Sequence, residues 1–263
     1  MEIGPLKQGH AVKFPQAKNE VLPSLPCRLL AIGPGSSGKT TALITLITDP
    51  RFFRGKFTKI VWCSPSATVD PALDALREYV RDELKQNQDE EPTFHDFVNV
   101  PFLEAMVAKA RKVSEFLKAR KAKQPGFNVL FVIDDLSDVK TNLPAVTRFV
   151  NACFVKNRHW GCSIILATQR LRLPLITPTV RVNTTAVMCW RLRNQSDLWD
   201  GLIYEYSALT SKESLYAAYK AAVGPAFGFL YIDMLSKDVN HMFFSSFTHR
   251  FLMEPQEENN TVS

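Results

Sequence analysis

The stretch Cys27-Arg28-Leu29-Leu30-Ala31-Ile32-Gly33-Pro34-Gly35-Ser36-Ser37-Gly38-Lys39-Thr40-Thr41-Ala42-Leu43-Ile44-Thr45-Leu46-Ile47 decides the fold. It opens on an apolar run of strand length, passes through a glycine-rich segment, and continues from Thr40 to Ile47 as a helix that Asp49-Pro50 ends. A loop that wraps a phosphate needs glycines, so that consecutive backbone N–H groups can turn inward around the anion. It also needs a helix N-terminus behind it and one lysine as a point charge. Chance alone produces the pattern G-x-x-x-x-G-K-[ST] in very roughly one chain in a hundred of this length, so the pattern by itself is not enough. The strand before it and the helix after it separate it from a flexible glycine-rich turn. Gly33, Pro34, Gly35, Ser36, Ser37, Gly38, Lys39, Thr40 and Thr41 are therefore read as the residues that bind ATP. In that reading Lys39 reaches the β and γ phosphates and the Thr40 hydroxyl ligates Mg2+.

Outward from this unit, strands alternate with helices. Lys59 to Cys63 reads as a second strand, Pro71 to Lys85 as a polar helix, and Gln86 to Pro92 as turns. From Phe102 to Arg120 the residues Leu103, Met106, Val107, Ala110, Val113 and Leu117 recur at helical spacing, which leaves Lys109, Lys112 and Lys118 on other faces. Val129-Leu130-Phe131-Val132-Ile133 is a continuous β-branched and aromatic run, suited to a parallel strand covered on both faces. A helix near Pro144 to Asn157 and strands at Ser163 to Ala167 and Thr184 to Trp190 follow. The region Tyr204 to Lys220 adds a helix, and Ala226 to Ile232 with Met242 to Phe247 reads as a closing hairpin. The alternation predicts an α/β fold with a mainly parallel central sheet flanked by helices. Residues 1–26, with Pro5, Pro15, Pro23 and Pro26, read as an irregular arm free to reach a neighbouring subunit, 27–252 as the nucleotide-binding domain, and 253–263 as a flexible tail.

Two further positions carry chemistry. Asp134-Asp135 closes the strongest strand, so its carboxylates emerge at the carboxyl edge of the sheet, beside the phosphate loop. Asp134 would hold magnesium through its water shell, and Asp135 would polarise an attacking water. Acidic residues after a strand also cap the following turn, and that reading stands beside the chemical one for Asp135. Ser137 and Asp138 read as turn residues. Gln169 follows the strand Ile164 to Ala167 at the same edge; its amide both donates and accepts, so it could sense a γ phosphate and position water. Ordinary loop chemistry is the alternative there.

Composition bounds the rest. The chain has 263 residues, is 46% hydrophobic and 22% charged, and carries a formal charge of +6. These are the proportions of an ordinary globular protein; the charge permits a nucleic-acid partner without requiring one. No apolar run approaches the roughly 18 residues of a membrane span, and the opening residues lack a secretory pattern, which predicts an intracellular protein with no membrane insertion. The five cysteines are odd in number and widely spaced, with no C-x-x-C pair, and read as buried free thiols.

Taken together, Gly33 to Thr40, Val129 to Asp135, and the segment Lys156-Asn157-Arg158-His159-Trp160-Gly161-Cys162-Ser163-Ile164-Ile165-Leu166-Ala167-Thr168-Gln169-Arg170 resemble the FtsK and HerA class of DNA-pumping ATPases. Within that class the resemblance is to the genome-packaging ATPases of poxviruses and other large DNA viruses. It spans Cys27 to Trp199. It implies a P-loop NTPase of the additional-strand (RecA-like) type that forms a homo-oligomeric ring, a pentamer or hexamer, and translocates double-stranded DNA into a viral capsid through its portal vertex. The implied location is the host cytoplasm or nucleus at the site of virion assembly, or the virion itself. By position Arg158 matches the arginine that one subunit supplies to its neighbour's ATP site; a solvated arginine favoured by the helix dipole is the alternative. Asp135 stands where cellular members usually carry Glu. Lys118-Ala119-Arg120-Lys121-Ala122-Lys123, and secondly Arg170 with Arg172, are the candidate contacts to DNA phosphates, with a solvated face and structural pairing as their alternatives. Another P-loop enzyme, such as a helicase or nucleotide kinase, and an ATP-gated scaffold with little turnover are the competing functions.

Overall fold

A chain whose apolar runs are each about five residues long and separated by helices can bury all of them only by laying them side by side. The computed structural model, which describes residues 12–121, 126–135, 143–171 and 176–253, does this. The strands are β1 (Arg28–Ile32), β2 (Lys59–Cys63), β3 (Phe94–His95), β4 (Val129–Asp134), β5 (Cys162–Thr168), β6 (Ala186–Trp190), β7 (Phe229–Asp233), β8 (Phe243–Ser245) and β9 (His249–Arg250). Among the described residues they form one nine-stranded sheet in the order β3-β2-β4-β5-β1-β6-β7-β8-β9. Pairing from β3 to β6 is parallel, and the last three strands join antiparallel. β5 lies between β1 and β4, so Ile32 pairs with Thr168 and Asp134 with Ala167. This interposed strand is the additional strand that the resemblance implies.

The helices are α1 (Lys39–Thr48), α2 (Asp74–Tyr79), α3 (Val100–Ala119), α4 (Leu143–Trp160), α5 (Pro178–Asn183), α6 (Tyr204–Tyr206) and α7 (Lys212–Ala222). Alternate residues of each central strand enter two cores. Leu130 and Val132 face a layer with Leu43, Leu46, Leu73 and Leu76 from α1, α2 and the turn before it. Val129, Phe131 and Ile133 face Met106, Ala110, Val150 and Phe154 from α3 and α4. Val129 to Ile133 of β4 are 0–1% exposed, as the unbroken apolar run requires.

Two boundaries differ from the sequence reading. The stretch after Pro92 pairs with β2 as the short strand β3, and two residues are too few for any alternation to be seen. A second helical segment, Asp197–Ile203, leads into α6, and α7 starts separately because the Ser211 hydroxyl accepts a hydrogen bond from the Ser214 N–H at 3.1 Å. The described part of the N-terminal segment also packs on its own chain: Leu22 and Leu25 are buried, and the Tyr231 hydroxyl donates to the Val21 carbonyl at 2.8 Å. All five cysteines are free and buried. Burial pushes the thiols of Cys27 and Cys63 up to about 12. No helix among the described residues is long and apolar enough to cross a membrane.

Candidate functional site

The phosphate-loop segment leaves β1 at the carboxyl edge of the sheet and enters α1 through Gly38, whose φ of 91° is the left-handed conformation that glycine adopts freely. Gly33 is needed for space: a Cβ there would lie 2.7 Å from Cβ of Trp190. The Gly33 N–H donates to the Thr168 carbonyl at 3.0 Å, which ties the loop to β5. Gly35 and Ser36 are exposed at the tip, and Thr41 is exposed on the first turn of α1. The Ser37 hydroxyl is buried with no hydrogen-bond partner among the described residues.

Lys39 is 7% exposed, and its Nζ donates to the carbonyls of Gly33 at 2.6 Å and Pro34 at 2.9 Å. It forms no ion pair among the described residues, although Asp134 and Asp135 are close enough to influence it. Burial lowers its affinity for a proton more than these acids raise it. A buried ammonium held by neutral carbonyls alone is incompletely compensated, which is the electrostatic condition of a seat for an anion. Asp134 shows the mirror effect: its burial raises the carboxyl above its ordinary value against the opposing influence of Lys39 and Thr40. The Thr40 hydroxyl donates to Asp134 Oδ2 at 3.3 Å, so the two expected magnesium residues are neighbours. Among the described residues there is no group of three or more His, Cys, Asp or Glu that could hold a metal by themselves.

Asp135 follows β4 with φ 47°, and its N–H donates to the Ala167 carbonyl at 3.2 Å. The Gln169 side-chain amide donates to Asp135 Oδ2 at 2.6 Å. The left-handed backbone gives a physical reason for aspartate at this position: Asp and Asn tolerate that region better than residues with longer side chains, glutamate included. Lys39, Thr40, Asp134, Asp135 and Gln169 thus meet at one edge. Ser137 and Asp138 lie outside the described residues.

Arg158 is elsewhere. It sits in the last turn of α4; Gly161, at φ 64°, then reverses the chain into β5, whose far end carries Gln169. Arg158 therefore lies at the amino edge of the sheet, close enough to Arg28 at the start of β1 to depress the latter's proton affinity after burial has done so. The five residues of β1 put roughly 16 Å between the two edges. Arg158 is exposed, makes no ion pair among the described residues, and lines a groove of about 790 Å³ with Lys13, Phe14, Ser114, Lys118 and His159. Lys118, Arg120 and Lys121 are exposed at the end of α3 on that same side; Ala122 and Lys123 lie outside the described residues. Arg170 instead pairs with buried Asp197 at 3.4 Å, a structural pairing, and Arg172 lies outside the described residues.

Two residues that touch the phosphate loop fall in no motif. Trp190 ends β6 beside Gly33, and the ring of Phe227 lies against Gly38. Their signal in the sequence is weak: an aromatic at a strand end, and an aromatic in the turn Pro225 to Gly228, each far along the chain from the loop it meets.

A family model described as Poxvirus A32 protein matches residues 13–219. No curated protein matches. Among solved structures, the genome packaging NTPase B204 from Sulfolobus turreted icosahedral virus 2 in complex with AMPPCP is 18% identical, with 81% of this chain and 95% of that chain covered and a TM-score of 0.48. The pCW3 conjugation coupling protein TcpA, in a monomer form with ATPgS, is 14% identical, with 88% of this chain and 68% of that chain covered and a TM-score of 0.50. EssC (ATPases 2 and 3) from Geobacillus thermodenitrificans is 13% identical over 76% of this chain and 42% of that chain, with a TM-score of 0.47. At these identities the likeness is one of fold.

Proposed function

We propose that this chain, which belongs to the Poxvirus A32 protein family, is an ATP-hydrolysing motor that packages viral DNA. The observation that carries the reading is the buried ammonium of Lys39, without an ion pair among the described residues and folded into a glycine loop at the same sheet edge as Thr40, Asp134, Asp135 and Gln169. The Ser37 hydroxyl, unpartnered among the described residues, and the Gly38 N-cap fit the same anionic occupant.

The roles follow from the chemistry of each group. Gly33 to Thr41 hold the triphosphate through backbone N–H groups, with Lys39 as the point charge. The Thr40 hydroxyl, and Asp134 through water, would hold Mg2+; two oxygen donors next to a phosphate site suit an ion that keeps several waters. When bound, that ion neutralises charge on the phosphate oxygens. Gln169 orients a water and fixes the Asp135 carboxylate. Asp135 takes the proton of that water as its oxygen bonds to the terminal phosphorus and the bond to the bridging oxygen breaks, leaving ADP and phosphate.

Arg158 cannot serve its own chain's site from the opposite edge. In this reading it serves a neighbour's, so the working form is a homo-oligomeric ring in which successive copies complete one another. The exposed cations Lys118, Arg120 and Lys121 supply sequence-independent contact to duplex DNA, and a capsid or portal vertex provides the anchor. The test is ATP hydrolysis by purified protein with and without long duplex DNA, at low and moderate salt, alongside nucleotide titration, with Lys39→Ala as the blank. Stimulation by duplex that fades with salt is expected. Hydrolysis indifferent to duplex would remove the motor and leave another P-loop enzyme.

A further inference from the structure

Phe227 is 72% exposed, an unusual state for a large apolar ring held so tightly by its backbone. Its φ is 58°, a left-handed value that a bulky residue keeps only where its surroundings enforce it. Here they do. The indole N–H of Trp190 donates to the Phe227 carbonyl at 3.1 Å, and Trp190 is itself buried, its ring 4.8 Å from that of Phe229. On the other side the Gly228 N–H donates to the Pro225 carbonyl at 3.1 Å; a Cβ on Gly228 would lie 2.4 Å from the Ala222 carbonyl oxygen, so the turn admits no side chain there. One edge of the ring faces the start of α1: a Cβ on Gly38 would be 3.1 Å from Cδ1 and 3.5 Å from Cγ.

The result is an aromatic plate fixed at the mouth of the phosphate loop, its remaining surface open to solvent. Because the turn is already held by its own hydrogen bonds, little ordering would be needed to use it. We propose that Phe227 is the platform on which the nucleobase stacks, with Trp190 as the positioning residue that holds it. This rests on the reading of Gly33 to Thr41 as the phosphate seat. Stacking on a π-face accepts any base, so the platform adds affinity for a nucleoside without choosing among bases.

The test compares ATP with inorganic tripolyphosphate, which carries the phosphates and no base, by direct titration of the full chain. Phe227→Ala should weaken ATP and GTP alike, by about 5- to 100-fold, and leave tripolyphosphate unchanged; Phe227→Tyr should restore both nucleotides. Phe227→Leu, which keeps apolar bulk against Gly38 without a π-face, should behave as the alanine variant does, and covers the case in which the smaller residue disturbs the turn. Equal losses for ATP and tripolyphosphate would overturn the proposal, since the ring would then act by shaping the loop. Unchanged ATP affinity in Phe227→Ala would overturn it too. If Lys39→Ala binds tripolyphosphate as the parent does, the phosphate-loop reading itself falls, and the platform with it.

Discussion

The two edges of the sheet are built on opposite principles. At the carboxyl edge, the polar groups already touch one another: Thr40 meets Asp134, Gln169 meets Asp135, and Lys39 is folded into its own loop. At the amino edge, Arg158 and Lys118 line one groove as exposed cations, with His159 beside them. A buried network can be organised by a single chain because burial rewards each hydrogen bond that is made. Exposed cations gain little from one another and are held by water, so nothing within the chain organises them and they stay open to an anion outside it. The contrast teaches that one edge is organised by contacts within the chain, whereas the other presents its charged groups outward.

The largest expected effect tests that division. Arg158→Ala should lower turnover about 10³- to 10⁵-fold while leaving nucleotide affinity unchanged, measured by phosphate release and nucleotide titration on assemblies of verified size. Mixing this variant with Lys39→Ala should recover part of the activity, because each copy supplies the half the other lacks. A parent-like rate for Arg158→Ala would erase the functional distinction between the edges. Next comes Asp135→Asn, which should slow hydrolysis about 10²- to 10⁴-fold and retain bound ATP, as followed by single-turnover chase. Normal hydrolysis would remove Asp135 from the water-activating role. Lys39→Ala should cost about 10- to 150-fold in nucleotide affinity, the worth of one charged hydrogen-bonding group, read by titration without turnover. The smallest effect checks a cation that is not offered outward. Arg170→Ala leaves buried Asp197 without its partner, yet Arg170 is itself 57% exposed, so a loss of about 1 kcal/mol and a Tm drop of about 2–4 °C are expected by calorimetry. No change in Tm would mean that the pair is ornamental.

Much of the carboxyl edge was legible in the sequence because its parts are local. Gly33 to Thr41 is one continuous run, and Asp134 ends, and Gln169 directly follows, a strand announced by an apolar run. The order of strands across the sheet is not local. That β5 stands between β1 and β4 followed from resemblance, since nothing in the alternation of strands and helices fixes which strand neighbours which. Phe227 and Trp190 were invisible for the same reason: an aromatic in a turn carries no address, and only the antiparallel return of β7 against β6 brings that turn to Gly38. The left-handed backbone at Asp135 could not be read either, because a single residue of φ has no periodicity to betray it.

The burial of every cysteine has a practical side. Thiols pushed as high as those of Cys27 and Cys63 hold almost no thiolate at neutral pH, and all five are shielded from solvent. A maleimide dye therefore meets no native competitor on the folded chain. One added cysteine, for instance Val155→Cys on the exposed side of α4 near Arg158, becomes a unique attachment point. Energy transfer between dyes on separately labelled copies then reports whether the chains associate and how closely, in a protein that needs no prior removal of its own thiols.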